Sequence, residues 1–144
     1  ALPICHKRHT LNPYIDIMHY GDIRDQDTLD WLFGMVDIDV VFHLAGRIEA
    51  GMSFEEPTEF CEVNTGGTTS LLNMMKKYDV KNIVYSSTAG VYFSGNIKIP
   101  ENECTSNNHV YGNTELASEQ AIEDSGLNYI IFIYFYYCII YFVY

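Results

Sequence analysis

At 144 residues, with 48% hydrophobic and 19% charged side chains, the chain has the make-up of one folded domain with a real core, not of a disordered segment. Its formal net charge of -11 argues against general affinity for nucleic acid or an anionic membrane, though not against a nucleotide ligand held by backbone N–H groups. Cys5, Cys61, Cys104 and Cys138 are scattered without a C-x-x-C pair, so no metal site is expected. The start, Ala1-Leu2-Pro3-Ile4, has no signal-like pattern, so reduced thiols in a cytoplasmic protein are the expectation. Cys61 reads as a small apolar filler.

Residues Ala1 to Asn12 are polar and patternless and read as loop. Alternation from Tyr14 to His19 predicts a short strand, Ile15–His19, ending at the turn signal Gly21-Asp22. Asp25 to Phe33 predicts a helix with Asp25 as N-cap and Leu29, Leu32 and Phe33 inward. The apolar run Asp39 to Ala45 predicts a parallel strand buried on both faces, with His43 a core histidine. Helical spacing of Phe60, Val63, Leu71, Leu72 and Met75 predicts a helix from Pro57 to Tyr78, weakened at Gly66-Gly67 and closed by Lys76 and Lys77.

A second buried strand is expected at Asn82–Ser86, a loop at Val91–His109, and a helix at Tyr111–Asp124 stopped by Ser125-Gly126. In that helix Leu116, Ala117, Ala121 and Ile122 are expected inward. A last strand, Tyr129–Phe135, passes into an atypical tail: residues 129–144 are apolar, tyrosine-rich and uncharged, too short to span a membrane and prone to β-aggregation. Strand and helix alternate throughout, which predicts an α/β fold with a doubly wound, Rossmann-like parallel sheet and helices on both faces.

Several words in this order carry a resemblance: Gly21–Asp25 (GDIRD), Phe42–Gly46 (FHLAG), Val63–Thr68 (VNTGGT), Tyr85–Tyr92 (YSSTAGVY) and Val110–Gln120 (VYGNTELASEQ). Together they resemble the extended short-chain dehydrogenase/reductases, the NAD-dependent epimerase/dehydratase family. The resemblance implies NAD as cofactor, a nucleotide-sugar substrate and a homodimer as the assembly to look for. It implies Asp22 accepting from the adenine amino group and Ile23 capping the ring. It also implies Leu44, Ala45 and Gly46 along the cofactor, Ser86 beside it, and Asn64 supporting the active-site end of its helix. Thr88 takes the catalytic Ser/Thr position and Tyr111 that of the general base. Tyr134–Tyr137 (YFYY) is a degraded echo of R-Y-F-N, with Ile133 and Tyr136 in place of arginine and asparagine.

In the resembled chemistry a phenol, with an ordinary pKa near 10, becomes a useful base only beside a cation. The family's lysine supplies that charge four residues after the tyrosine. Here Glu115 stands there, which reverses the local charge. The sequence also has no Gly-x-x-Gly-x-x-Gly turn to hold a pyrophosphate. The fold is thus expected to be incomplete at its N-terminus, lacking the family's first strand, first helix and second strand. The implied reaction is epimerisation of a UDP-sugar at C4, impaired in this chain. A nucleotide-sugar dehydratase or reductase, and a non-catalytic interaction module or decayed gene product, are the alternatives.

Overall fold

The computed structural model describes residues 19–92, 110–134 and, as backbone, 140–143. The expected strand Ile15–His19 lies outside these but for His19, as do nearly all of the expected Val91–His109 loop and the YFYY echo beyond Tyr134. Asp25 caps α1 (Gln26–Met35) as expected, its carboxylate accepting from the Asp27 and Thr28 amides. Leu29, Leu32 and Phe33 are the buried face of that helix.

The sheet runs β1 (Val40–His43), β2 (Asn82–Thr88), β3 (Asn128–Tyr134), β4 (Ile140–Val143) in spatial as well as chain order. The first three strands are parallel, with His43 beside Tyr85 and Tyr85 beside Ile131. β4 pairs antiparallel with β3, an edge strand that alternation alone did not foretell. Parallel neighbours need long crossovers, and these are helical. The crossover from β1 to β2 carries α2 (Pro57–Phe60), a π-helical stretch (Cys61–Gly66) and α3 (Gly67–Lys77), joined without a break because Phe60, Gly66 and Gly67 keep right-handed helical dihedrals. The crossover from β2 to β3 carries α4 (Val110–Glu123).

The core lies on one face of the sheet. Ile83 and Tyr85 of β2 and Ile131 and Ile133 of β3 pack with Leu29, Phe33, Leu71, Leu72, Met75 and Ile122 from the helices. Gly67 belongs to this packing, since a Cβ there would run into the Ile23 side chain at 2.5 Å. Two expectations change here. Among the described residues the helices cover one face only, and β1 is not buried on both sides: Phe42 is 64% exposed, and Leu44 just beyond the strand 70%. In α4, Leu116 and Ala117 face solvent, while Gly112, Thr114, Glu115, Ser118 and Ile122 are buried. The reason is hydrogen bonding: the inward polar groups of α4 all find partners on β2 and on the π-helical stretch.

Candidate functional site

The C-terminal end of β2 turns into a short 3-10 segment, Ala89–Val91, and this turn carries Thr88 toward the start of α4. Thr88 Oγ1 accepts from the Gly90 amide at 3.2 Å, which leaves its hydroxyl proton outside that bond. Gly112 makes the junction tight, because a Cβ on it would overlap the Gly90 carbonyl oxygen. Thr88 and Tyr111, two residues before Gly90 and one before Gly112, are therefore carried on directly apposed backbone. The Tyr111 amide donates to Ser53 Oγ at 3.2 Å, and its ring meets Phe60 edge-on at 6.4 Å between centroids. Phe60 in turn lies under the Arg47 guanidinium at 4.7 Å.

Asn64 is the hub of the site. It is almost fully buried in the π-helical stretch, a geometry often found at functional positions. Its Oδ1 accepts from the Arg47 amide at 2.7 Å, and its Nδ2 donates to the Arg47 carbonyl at 3.1 Å. The second Nδ2 proton is shared between Thr114 Oγ1 and Glu115 Oε1, each at 3.1 Å. The Asn64 carbonyl accepts from the Thr68 hydroxyl at 2.6 Å, and the Ser118 hydroxyl, 3.2 Å from it, is shared with the Thr114 carbonyl at 2.8 Å. Behind it, His43 is buried beside Tyr85. Thr68 gives its proton to the Asn64 carbonyl at 2.6 Å, so the 2.8 Å contact with His43 Nε2 makes that nitrogen the donor. Burial pushes the His43 pKa down to about 4, which keeps the ring neutral.

Glu115 points inward and is only 5% exposed. Its Oε2 accepts from the Tyr85 hydroxyl at 2.6 Å. Burial pushes its pKa up to about 7; donation from Tyr85 pulls the other way, and Glu119 adds to the rise. Burial, then the charge of Glu115, holds the Tyr85 phenol well above its ordinary range. One turn on, Glu119 accepts from Ser87 and is likewise raised, first by burial. Helix positions i and i+4 thus meet strand positions i and i+2.

The remaining residues singled out in the sequence spread around this centre. Gly46 adjoins it, since a Cβ there would stand 3.2 Å from Asn64 Oδ1. Leu44 and Ala45 are exposed, and Ser86 is half-buried on the sheet face away from the helices. Asp22 binds Arg24 through both carboxylate oxygens, and Arg24 also reaches Glu59. Ile23 is buried in the core against Gly67, not on the surface. Tyr85, Ser118, Glu119 and Arg47 went unnoticed in the sequence; the polar stripe Thr114, Glu115, Ser118, Glu119 at helical spacing was the available signal. Among the described residues no cluster of three metal-ligating side chains occurs, and no helix is long and apolar enough to cross a membrane.

Residues 4–138 match the model of the NAD dependent epimerase/dehydratase family. A UDP-glucose 4-epimerase of Halalkalibacterium halodurans is 41% identical over 122 residues, 81% of this chain and 36% of the relative. One from Yersinia pestis is 37% identical over 83% of this chain and 36% of its own length. The chain thus spans about a third of the length of these relatives. In structure, the NAD complex of the UDP-glucose 4-epimerase from Brucella ovis superposes with a TM-score of 0.76 at 31% identity, covering 82% of this chain and 38% of that one. The enzyme from Bifidobacterium longum, solved with NAD+ and UDP, gives 0.69 at 36% identity over 74% and 32%.

Among the described residues, two of those named in the sequence for that cofactor are engaged elsewhere. The Asp22 carboxylate is held by Arg24, and Ile23 is turned into the core. The Glu115 carboxyl group is buried and bonded to Tyr85 and Asn64.

Proposed function

From the membership of this chain in the NAD dependent epimerase/dehydratase family, we propose that it carries the proton-handling part of a nucleotide-sugar epimerase of the UDP-glucose 4-epimerase kind, in impaired form. The observation that supports this most is the apposition of the Thr88 turn and the Tyr111 helix start through Gly90 and Gly112. A phenol and a hydroxyl brought to one edge of a parallel sheet are what removal of a sugar hydroxyl proton needs: Tyr111 to take the proton, Thr88 to donate to the same oxygen as its charge changes.

The impairment rests on Glu115. Its carboxyl group is engaged with Tyr85 and Asn64 and supplies no cation beside the phenol. A homodimer and a cytoplasmic setting belong to the same reading. A nucleotide-sugar dehydratase or reductase would use the same Thr88–Tyr111 pair. The inward, fully partnered Glu115 favours a second reading, a non-catalytic module that keeps the fold and has lost the reaction.

Two measurements test the proposal. Calorimetric titration of NAD into the chain should give weak binding or none; a dissociation constant of about 1 μM or tighter would contradict the reading of the site. UDP-glucose turnover should then be assayed in a protein completed with a glycine-rich N-terminal segment and a substrate region from a relative. There Glu115→Lys should raise turnover on the order of 10²-fold or more. Equal turnover with Glu or Lys would remove Tyr111 from the role of base.

A further inference from the structure

The Gly46–Arg47 turn, where β1 ends, has both backbone polar groups of Arg47 bonded to one side chain, that of Asn64. Asn64 is itself held from the other side by Glu115, and Glu115 is held by Tyr85. A path of hydrogen bonds therefore runs from the strand β2 through α4 and the π-helical stretch to the turn. We propose that Glu115 is a proton-operated latch: with its carboxyl group neutral it fixes Asn64 and the Arg47 turn, and on losing its proton it releases them. The proposal goes beyond the cofactor reading and does not depend on it.

Geometry gives the latch its two states. A neutral carboxylic acid keeps Oε1 as an acceptor for Asn64 and can donate from Oε2 to the Tyr85 oxygen. An ionised carboxylate can accept from both, but it does so while buried, with no cation bonded to it. The groups facing Glu115 offer no compensation. From β2 comes Tyr85, whose phenol stays protonated; from α4 comes Glu119, of like charge. The helix of Asn64 presents that amide, and the Arg47 guanidinium is paired with Glu56 at 2.6 Å. His43, behind Tyr85, is neutral throughout the range concerned. Burial outweighs the Tyr85 donation, so the closed state holds the proton to about pH 7, whereas a solvated glutamate releases it near 4.5.

The sign of the effect follows. Closed Glu115 binds more protons than open Glu115 between those two values, so opening becomes easier as pH rises through that window and levels off above it. Amide hydrogen exchange of Arg47, corrected for intrinsic rate, reads this directly. Its opening constant should climb roughly tenfold per pH unit from about pH 5 to 7 and then flatten. Glu115→Gln keeps one acceptor and one donor in the same shape and should remove that climb. A flat profile in the parent chain, or the same climb in E115Q, overturns the latch. So does an identical climb at the Ile131 amide, which would make the opening global. Carboxyl carbon titration by NMR gives an independent reading in the unmutated chain. A Glu115 midpoint near 4.5 overturns the proposal, and in Tyr85→Phe the midpoint should move above that of the parent.

Discussion

Gly112, in the first turn of α4, lies so close to Gly90 that a Cβ on it would overlap the Gly90 carbonyl oxygen. The contact is backbone against backbone, so neither partner has a flexible side chain to swing away. It sets the distance between the Thr88 turn and the Tyr111 helix for the whole site.

Gly112→Ala should therefore destabilise. Alanine gains about 1 kcal/mol in intrinsic helix propensity, yet overpacking against fixed backbone costs about 1–3 kcal/mol or more. The overlap wins because the Gly90 carbonyl cannot move without disturbing the Thr88 cap. Urea unfolding should show a lower midpoint at unchanged slope; an unchanged midpoint would mean that the junction is loose in solution.

Asn64→Ala should be worse. It strips partners at once from the Arg47 amide, the Arg47 carbonyl and Glu115 Oε1. A buried polar group left unpaired costs about 1–3 kcal/mol, so a loss of at least about 3 kcal/mol is expected. Because Asn64 and Glu115 share a hydrogen bond, the double variant with Glu115→Gln should fall short of the sum by roughly 0.5 kcal/mol or more. Additive losses would show that the two act separately.

His43 and Glu115 should oppose each other as pH changes. The His43 pKa is depressed from 6.5 to about 4, so its contribution is present above 6.5 and lost as pH falls through 4. The Glu115 pKa is raised from 4.5 to about 7, so its contribution is present below 4.5 and lost as pH rises through 7. Each slope is about 1.4 kcal/mol per pH unit at most, and of opposite sign between 4.5 and 6.5. Denaturant titrations over that window should show a dependence of stability on pH more positive than the parent's in Glu115→Gln and more negative than the parent's in His43→Gln. A slope equal to the parent's in either variant would mean that the replaced group is not buried as described.

Asp25→Ala should cost about 1 kcal/mol, the usual value for losing an N-cap. The carboxylate serves the Asp27 and Thr28 amides and takes the Thr28 hydroxyl proton at 2.6 Å. Asp25→Asn should recover most of the loss; no recovery would assign the effect to charge and not to capping.

The elements were legible where local rules dominate. Asp25 caps α1, His43 is a core histidine, and the apolar runs at Val40 and Ile83 are neighbouring parallel strands. Tertiary partners decided the rest. Leu116 and Ala117 look like an inward face by hydrophobicity, yet α4 turns Thr114, Glu115 and Ser118 inward because Asn64 and Tyr85 wait there with complementary groups. No propensity rule anticipates the π-helical stretch, which owes its place to the contacts that Asn64 makes with Arg47 and α4. Glu115 stood out in the sequence four residues after Tyr111; its burial did not, since Tyr85 lies 30 residues away in the chain.

The sheet face that the described helices leave uncovered has a colloidal consequence. Val40 and Phe42 of β1, the edge strand among the described ones, and Leu44 just beyond it form an apolar strip, the kind of surface that seeks contact with other chains. Mutual repulsion from a net charge of -11 holds such molecules apart in neutral buffer. That repulsion vanishes as acid brings the chain toward its isoelectric point of about 4.6 and is shortened by salt, so the strip governs behaviour in sour or saline solution. Light scattering would register the change as growth in particle size while the helices and strands stay intact.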